Sequence, residues 1–128
     1  MITTAIVVLT YFSACNKEDP PAGTYDATIT IIEPDDGMIL ASGDELHVEI
    51  DFENDATIYN VEILVLNETS GDTLLYHNEN ASIANLYQFH EHIMPIVTSV
   101  SDCMVKASTW ENDKSEAISK SVHVIINP

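Results

Sequence analysis

His77, His90 and His92, with Glu91 between the last two, are the residues whose type and spacing come nearest to chemistry. On an extended strand, His90 and His92 project to one face, about 7 Å apart at a rise of ~3.3 Å per residue. Two imidazoles so placed can share one zinc or copper ion if a third ligand arrives from a neighbouring strand. His77 or Glu79 is the candidate third ligand, if the strand ending at His77 lies beside the one beginning at Tyr87. The plainer alternative is a solvated strand face that carries histidines by chance.

Carboxylates raise calcium as a second cofactor. Asp51, Glu53, Asn54 and Asp55 gather at one strand end, and Asp35 and Asp36 in a turn. Calcium favours such oxygen-rich loops, but neither group has the Asp-x-Asp-x-Asp-Gly spacing of an EF-hand. With 21 Asp+Glu in 128 residues, clusters of this kind also arise without a ligand. Four Lys+Arg leave a formal net charge of −17, a surface that repels phosphate backbones and excludes nucleic acid as a partner. The same charge disfavours adsorption to an anionic bilayer, so membrane attachment needs a covalent or inserted anchor.

No enzyme is expected. The chain has no Gly-x-Ser-x-Gly, no glycine-rich phosphate loop and no His-Glu-x-x-His, and His90-Glu91-His92 lacks the helical spacing of the last. Glu-rich strands could supply a carboxylate pair for glycoside hydrolysis, but nothing sets their separation. Tyr59, Tyr76, Tyr87 and Trp110 are candidate stacking surfaces for sugars. Trp110, at a strand end beside Glu111-Asn112-Asp113, is the most suggestive of them.

The elements that must position these side chains read as strands. In Glu45 to Glu53, Leu46, Val48, Ile50 and Phe52 alternate with His47, Glu49, Asp51 and Glu53, the pattern of a strand with one buried face. Thr28 to Glu33 precedes it across the turn Pro34-Asp35-Asp36-Gly37. Thr57 to Asn67 follows, with Tyr59, Val61, Ile63 and Val65 on one face and Ile58, Leu64 and Leu66 on the other, as in a central strand. Thr73 to His77, Tyr87 to Ile93 (Tyr87, Phe89 and Ile93 inward), Asp102 to Trp110 and Ile118 to Ile126 complete the set. About seven short strands in roughly a hundred residues, with no amphipathic helix, predict an all-β antiparallel sandwich.

The first fourteen residues differ in kind. Met1 to Ala14 carries no charge, and Ile2 to Phe12 is an apolar run centred on Ala5-Ile6-Val7-Val8-Leu9. As a helix it spans about 16 Å, half a bilayer's hydrocarbon core, which suits the apolar region of an export signal. Phe12-Ser13-Ala14-Cys15 then places two small residues before a cysteine. This segment resembles the lipobox of bacterial lipoproteins, with Phe12 where Leu is usual and no Lys or Arg ahead of the apolar run. The resemblance implies removal of residues 1–14 and lipidation of Cys15, whose acyl chains would anchor the protein in the membrane. Asn16-Lys17-Glu18-Asp19 after the cysteine resembles the surface-export signal of Bacteroidetes lipoproteins. It implies an outer-membrane protein facing the medium, with the periplasmic face as the alternative. Asp72-Thr73-Leu74 resembles the O-glycosylation acceptor of exported Bacteroidetes proteins, which makes Thr73 a candidate modification site.

If Cys15 carries lipid, Cys103 has no intrachain partner and is expected to be a small buried hydrophobe. Residues 15–26 then form a linker and 27–128 the domain. Ile32-Glu33-Pro34-Asp35-Asp36-Gly37 leading into Gly43-Asp44-Glu45-Leu46, with the closing pair around Val105-Lys106-Ala107 and Val122 to Ile126, resembles the immunoglobulin-like modules of such lipoproteins. That likeness implies a module more than a chemistry. Two function classes stay open: a non-catalytic envelope module that binds a glycan or a protein partner or gives structural support, and a metal-binding envelope protein that uses His77, His90 and His92.

Overall fold

The computed structural model describes residues 25–128. The expected export segment, Cys15 and the expected linker as far as residue 24 lie outside the described residues. Six strands follow in order: β1 (Thr28–Glu33), β2 (Met38–Ala41), β3 (Leu46–Asn67), β4 (Thr73–Ile93), β5 (Ser101–Trp110) and β6 (Ile118–Asn127). One 3-10 turn, Lys114–Glu116, precedes β6, and the Asp113 side chain caps it by accepting from the Ser115 amide.

Two long strands, β3 and β4, organise an immunoglobulin-like all-β sandwich by passing through both layers. The first half of β3 pairs antiparallel with β1 (Ile31 opposite Ile50) and with the second half of β4 (Leu46 opposite Ile93). The second half of β3 pairs with the first half of β4 (Ile63 opposite His77) and with β5 (Val65 opposite Val105). β6 extends that layer antiparallel to β5, and β2 closes it as a parallel edge, Leu40 beside Ile126. The two layers meet through Leu46, Val48, Ile50 and Phe52 on one side and Val61, Ile63, Val65, Val105 and Val124 on the other, all fully buried. Burial of each such side chain is worth roughly 1.5–3 kcal/mol, the main favourable contribution to folding.

Three sequence expectations change here. Glu45 to Glu53 and Thr57 to Asn67 are one strand, and so are Thr73 to His77 and Tyr87 to Ile93. The ladders continue because β3 and β4 pair with each other throughout, and register shifts between Glu53 and Thr57 absorb the bend. In β4 the bend coincides with positive φ at Ser82 (44°) and Asn85 (67°). A further shift between Ile58 and Asn60 reverses which parity faces the core: Ile58 is buried, and the buried series resumes at Val61. Tyr59, expected inward with Val61, is half-buried and packs edge-on against Tyr25, ring centroids 6.0 Å apart. The third change is β2, a strand that forms on an apolar stretch without alternation just after Gly37.

The pairings define two ends. Residues 25–27 enter at the end formed by residues 53–57, 84–86 and 111–117, where the Tyr25 hydroxyl hydrogen-bonds Thr109 Oγ1 at 2.6 Å. At the opposite end, the Gly43 amide donates to the Pro95 carbonyl (2.8 Å), Val97 N donates to Ser42 Oγ (2.8 Å) and Ser42 N donates to the Asn127 carbonyl (2.6 Å). Cys103 is fully buried on β5, and burial, reinforced by nearby Asp102, pushes its thiol pKa up. It is a core residue, as its alternation with Val105 and Ala107 predicts.

Candidate functional site

Two of the three expected histidines come together, and a different third joins them. β4 turns Tyr87, Phe89 and Ile93 toward the sandwich interior, so His90 and His92 stand on the outer face of the layer. β3 alternates in the same way, with Leu46 and Val48 fully buried and His47 pointing out between them. Antiparallel register then sets His47 directly opposite His92 and Glu49 opposite His90. The ring centroids of His47 lie 5.7 Å from those of His92 and 6.1 Å from those of His90, and His90 and His92 are 6.4 Å apart. One ring nitrogen from each lies within 4.8 Å of the others. Glu45, just before β3, spans two of them: one carboxylate oxygen is 3.4 Å from His47 Nε2 and the other 3.6 Å from His92 Nε2. Glu33 Oε2 is 4.0 Å from His47 Nδ1.

His77 is not part of this group, which corrects its assignment as a ligand beside His90 and His92. It lies on the other half of β4, and its ring packs 5.0 Å from Phe89, on the inward side of the layer that carries His90 and His92 outward. Its Nε2 is hydrogen-bonded instead within a local network: 3.0 Å from the Tyr87 hydroxyl and 3.1 Å from Glu79, which also accepts from that hydroxyl. Burial and the Glu79 carboxylate push the Tyr87 phenol well above its ordinary pKa, while the two hydrogen bonds from Tyr87 and His77 lower that of Glu79. The signal for His47 was present: it occupies the solvated parity of an alternating strand, and pairing that strand with Tyr87 to Ile93 puts it across from His92.

A second mixed cluster lies on the other layer. His123 Nδ1 is 3.2 Å from Asp102 and 3.3 Å from Glu68, and the His123 amide donates to Asp36 Oδ1 at 2.9 Å. Glu68 is placed by the tight turn after β3, where Asn67 Oδ1 accepts from the amides of Thr69 and Ser70, both at 3.0 Å. Asp36 is thus engaged in holding β6 and stands apart from the other acidic group. That other group shares one shallow concavity of about 480 Å³: Glu53, Asn54 and Asp55 line it together with Asp26, Thr28 and Asn85. Asp51 precedes it on β3, with one carboxylate oxygen buried and without a hydrogen-bond partner.

Trp110 ends β5 as expected, but it is only 9% exposed. Asn60 Nδ2 donates to its carbonyl at 3.1 Å, and the Lys114 ammonium sits 5.3 Å over its ring. The ring is covered, with Lys114 over it, a correction to its reading as a stacking platform. Tyr76 is 57% exposed, its hydroxyl bonded to Glu62 at 3.0 Å. Thr73 is exposed at the start of β4, opposite Leu66.

No protein-family model matches the chain, and no curated protein matches it in sequence. Solved structures define the class as an immunoglobulin-like β-sandwich. The fibronectin(III)-like modules of Clostridium thermocellum CbhA superpose with a TM-score of 0.50 at 14% identity, covering 78% of this chain and 96% of theirs. The CARDB domain of a Pyrococcus furiosus protein in complex with di-metal ions gives 0.52 at 10% identity, covering 79% of this chain and 87% of that one. A β-glucosidase from Listeria innocua in complex with glucose gives 0.53 at 11% identity over 80% of this chain, but the match spans only 16% of the glucosidase. At these identities the likeness is one of fold, and the glucosidase's activity stays with that protein.

Proposed function

We propose that the protein is a non-catalytic module of the bacterial cell envelope, lipid-anchored through Cys15 in the outer membrane and displayed toward the medium, where it binds a partner. The observation that carries this reading is the polarity of the sandwich. The chain enters at the end where Tyr25 bonds Thr109. At the opposite end, the loop after β4 exposes Met94 (70%), Ile96 (74%) and Val100 (58%). A tether on the amino-terminal side leaves this apolar tip pointing away from its attachment, the placement a recognition module needs. On a surface of net charge −17, three exposed aliphatic side chains in one loop favour a protein partner. A glycan partner is the weaker alternative, because Trp110 is covered.

Cell fractionation of full-length protein beside Cys15→Ala tests the reading, with added protease to report surface exposure. The expected result is wild-type protein in the outer-membrane fraction and digested on intact cells, with the variant released from the membrane. Equal partition of the two proteins into a soluble fraction would overturn it.

A further inference from the structure

We propose that His47, His90 and His92 form a binding site for one imidazole-preferring divalent transition-metal ion, Zn²⁺ or Cu²⁺, with the Glu45 carboxylate completing the ligand set. Three observations converge on this face. First, three of the five histidines in the chain meet at one spot although they come from two strands, and each offers a ring nitrogen within 4.8 Å of the other two. Zinc–nitrogen bonds of about 2.0–2.1 Å place tetrahedral ligand nitrogens roughly 3.3 Å apart, so side-chain rotations that close the group by at most about 1.5 Å complete the site. Second, Glu45 reaches toward His47 and His92 from the turn before β3, its two oxygens 3.4 and 3.6 Å from their Nε2 atoms. It is placed to supply the fourth donor of a tetrahedral set.

Third, the backbone that carries the ligands is anchored by strand pairing and by the core beneath it. His47 and His92 are opposite one another in a ladder whose inward neighbours Leu46 and Val48 are fully buried, so the ligand spacing is held by the core. The surrounding charge acts in the same direction: Glu33 lies 4.0 Å from His47, and Glu49 is the register partner of His90. Such carboxylates concentrate cations on the face before any ligand bond forms. Imidazole nitrogens select zinc and copper over calcium and magnesium, which take oxygen donors. The cluster formed by Glu68, Asp102 and His123 offers only one imidazole beside two carboxylates, a poorer donor set for these ions than three imidazoles.

The site requires neither the lipid anchor nor the apolar tip, so it stands or falls separately from the proposed function. Its test is calorimetric titration of metal-free full-length protein with Zn²⁺, alongside His47→Gln, His90→Gln, His92→Gln and, as control, His77→Gln. All four are conservative changes, and circular dichroism is the check that each variant is folded. One Zn²⁺ per chain is expected for wild type. Affinity should fall at least about tenfold in each of the three cluster variants and stay unchanged in the control. Cu²⁺ electron paramagnetic resonance gives a second readout: nitrogen hyperfine structure from three imidazoles in wild type and from two in each cluster variant. Wild type that takes up no stoichiometric Zn²⁺ would overturn the proposal, as would binding that survives His47→Gln or is lost equally in His77→Gln.

Discussion

His47 of β3 stands directly across the ladder from His92 of β4, their ring centroids 5.7 Å apart on the outer face of the layer. Their side chains are 44% and 61% exposed, so they contribute little to the core beneath them. The double variant His47→Gln/His92→Gln is therefore expected to unfold within about 0.5 kcal/mol of wild type in metal-free urea titrations. A larger loss would show that the pair supports the fold in its own right.

Tyr25 and Tyr87 are expected to make the protein sensitive to alkali. Burial raises the Tyr25 phenol pKa despite its hydrogen bond to Thr109, and burial with Glu79 raises that of Tyr87 further. Both groups hold their protons longer in the folded chain than in the unfolded one. The stability they confer is complete below the ordinary tyrosine pKa of about 10 and is lost as pH rises through the folded values. Urea midpoints should fall between about pH 10 and 12, and Tyr25→Phe/Tyr87→Phe should show a shallower decline over that range.

Trp110 is the single tryptophan of the chain and reports its own burial. Its fluorescence should be blue-shifted and poorly quenched by acrylamide in the native state. Lys114 lies over the ring and is also paired with Glu62. Lys114→Ala should raise the quenching constant and red-shift the emission without unfolding the domain. An unchanged spectrum would place the ring's protection elsewhere.

Cys103 should be inert. It is fully buried and its thiol pKa is raised, so both access and thiolate are lacking. A disulfide reagent at pH 8 should label it only after urea is added. Rapid labelling of the native protein would contradict its place in the core.

The strand pattern was legible wherever one face of a strand is buried: Leu46 to Phe52 alternates as its burial does, and so do Cys103, Val105 and Ala107. Two features were hidden for physical reasons. The bulge between Ile58 and Asn60 leaves the alternation intact on either side of itself, and only the partner strand records the change of parity. β2 alternates in no way because it is a short parallel edge, and its partner β6 lies at the far end of the chain. The histidine face was half legible. His90-x-His92 announces a shared face within one strand, whereas His47 and His77 exchange roles once strand pairing is known. His77 shares a strand with the cluster but packs on Phe89, and His47 comes from the strand across from it.

The proposed attachment of the sandwich to the cell surface through lipid on Cys15 is read out by the intact mass of the membrane-extracted protein. The expected species begins at Cys15 and carries acyl chains, and Cys15→Ala yields an unacylated one in its place. A glycan increment abolished by Thr73→Ala would add the modification proposed for that exposed residue. An unmodified mass beginning at Met1 would contradict the claim, remove the envelope reading with it, and return Cys15 to the pool of free thiols.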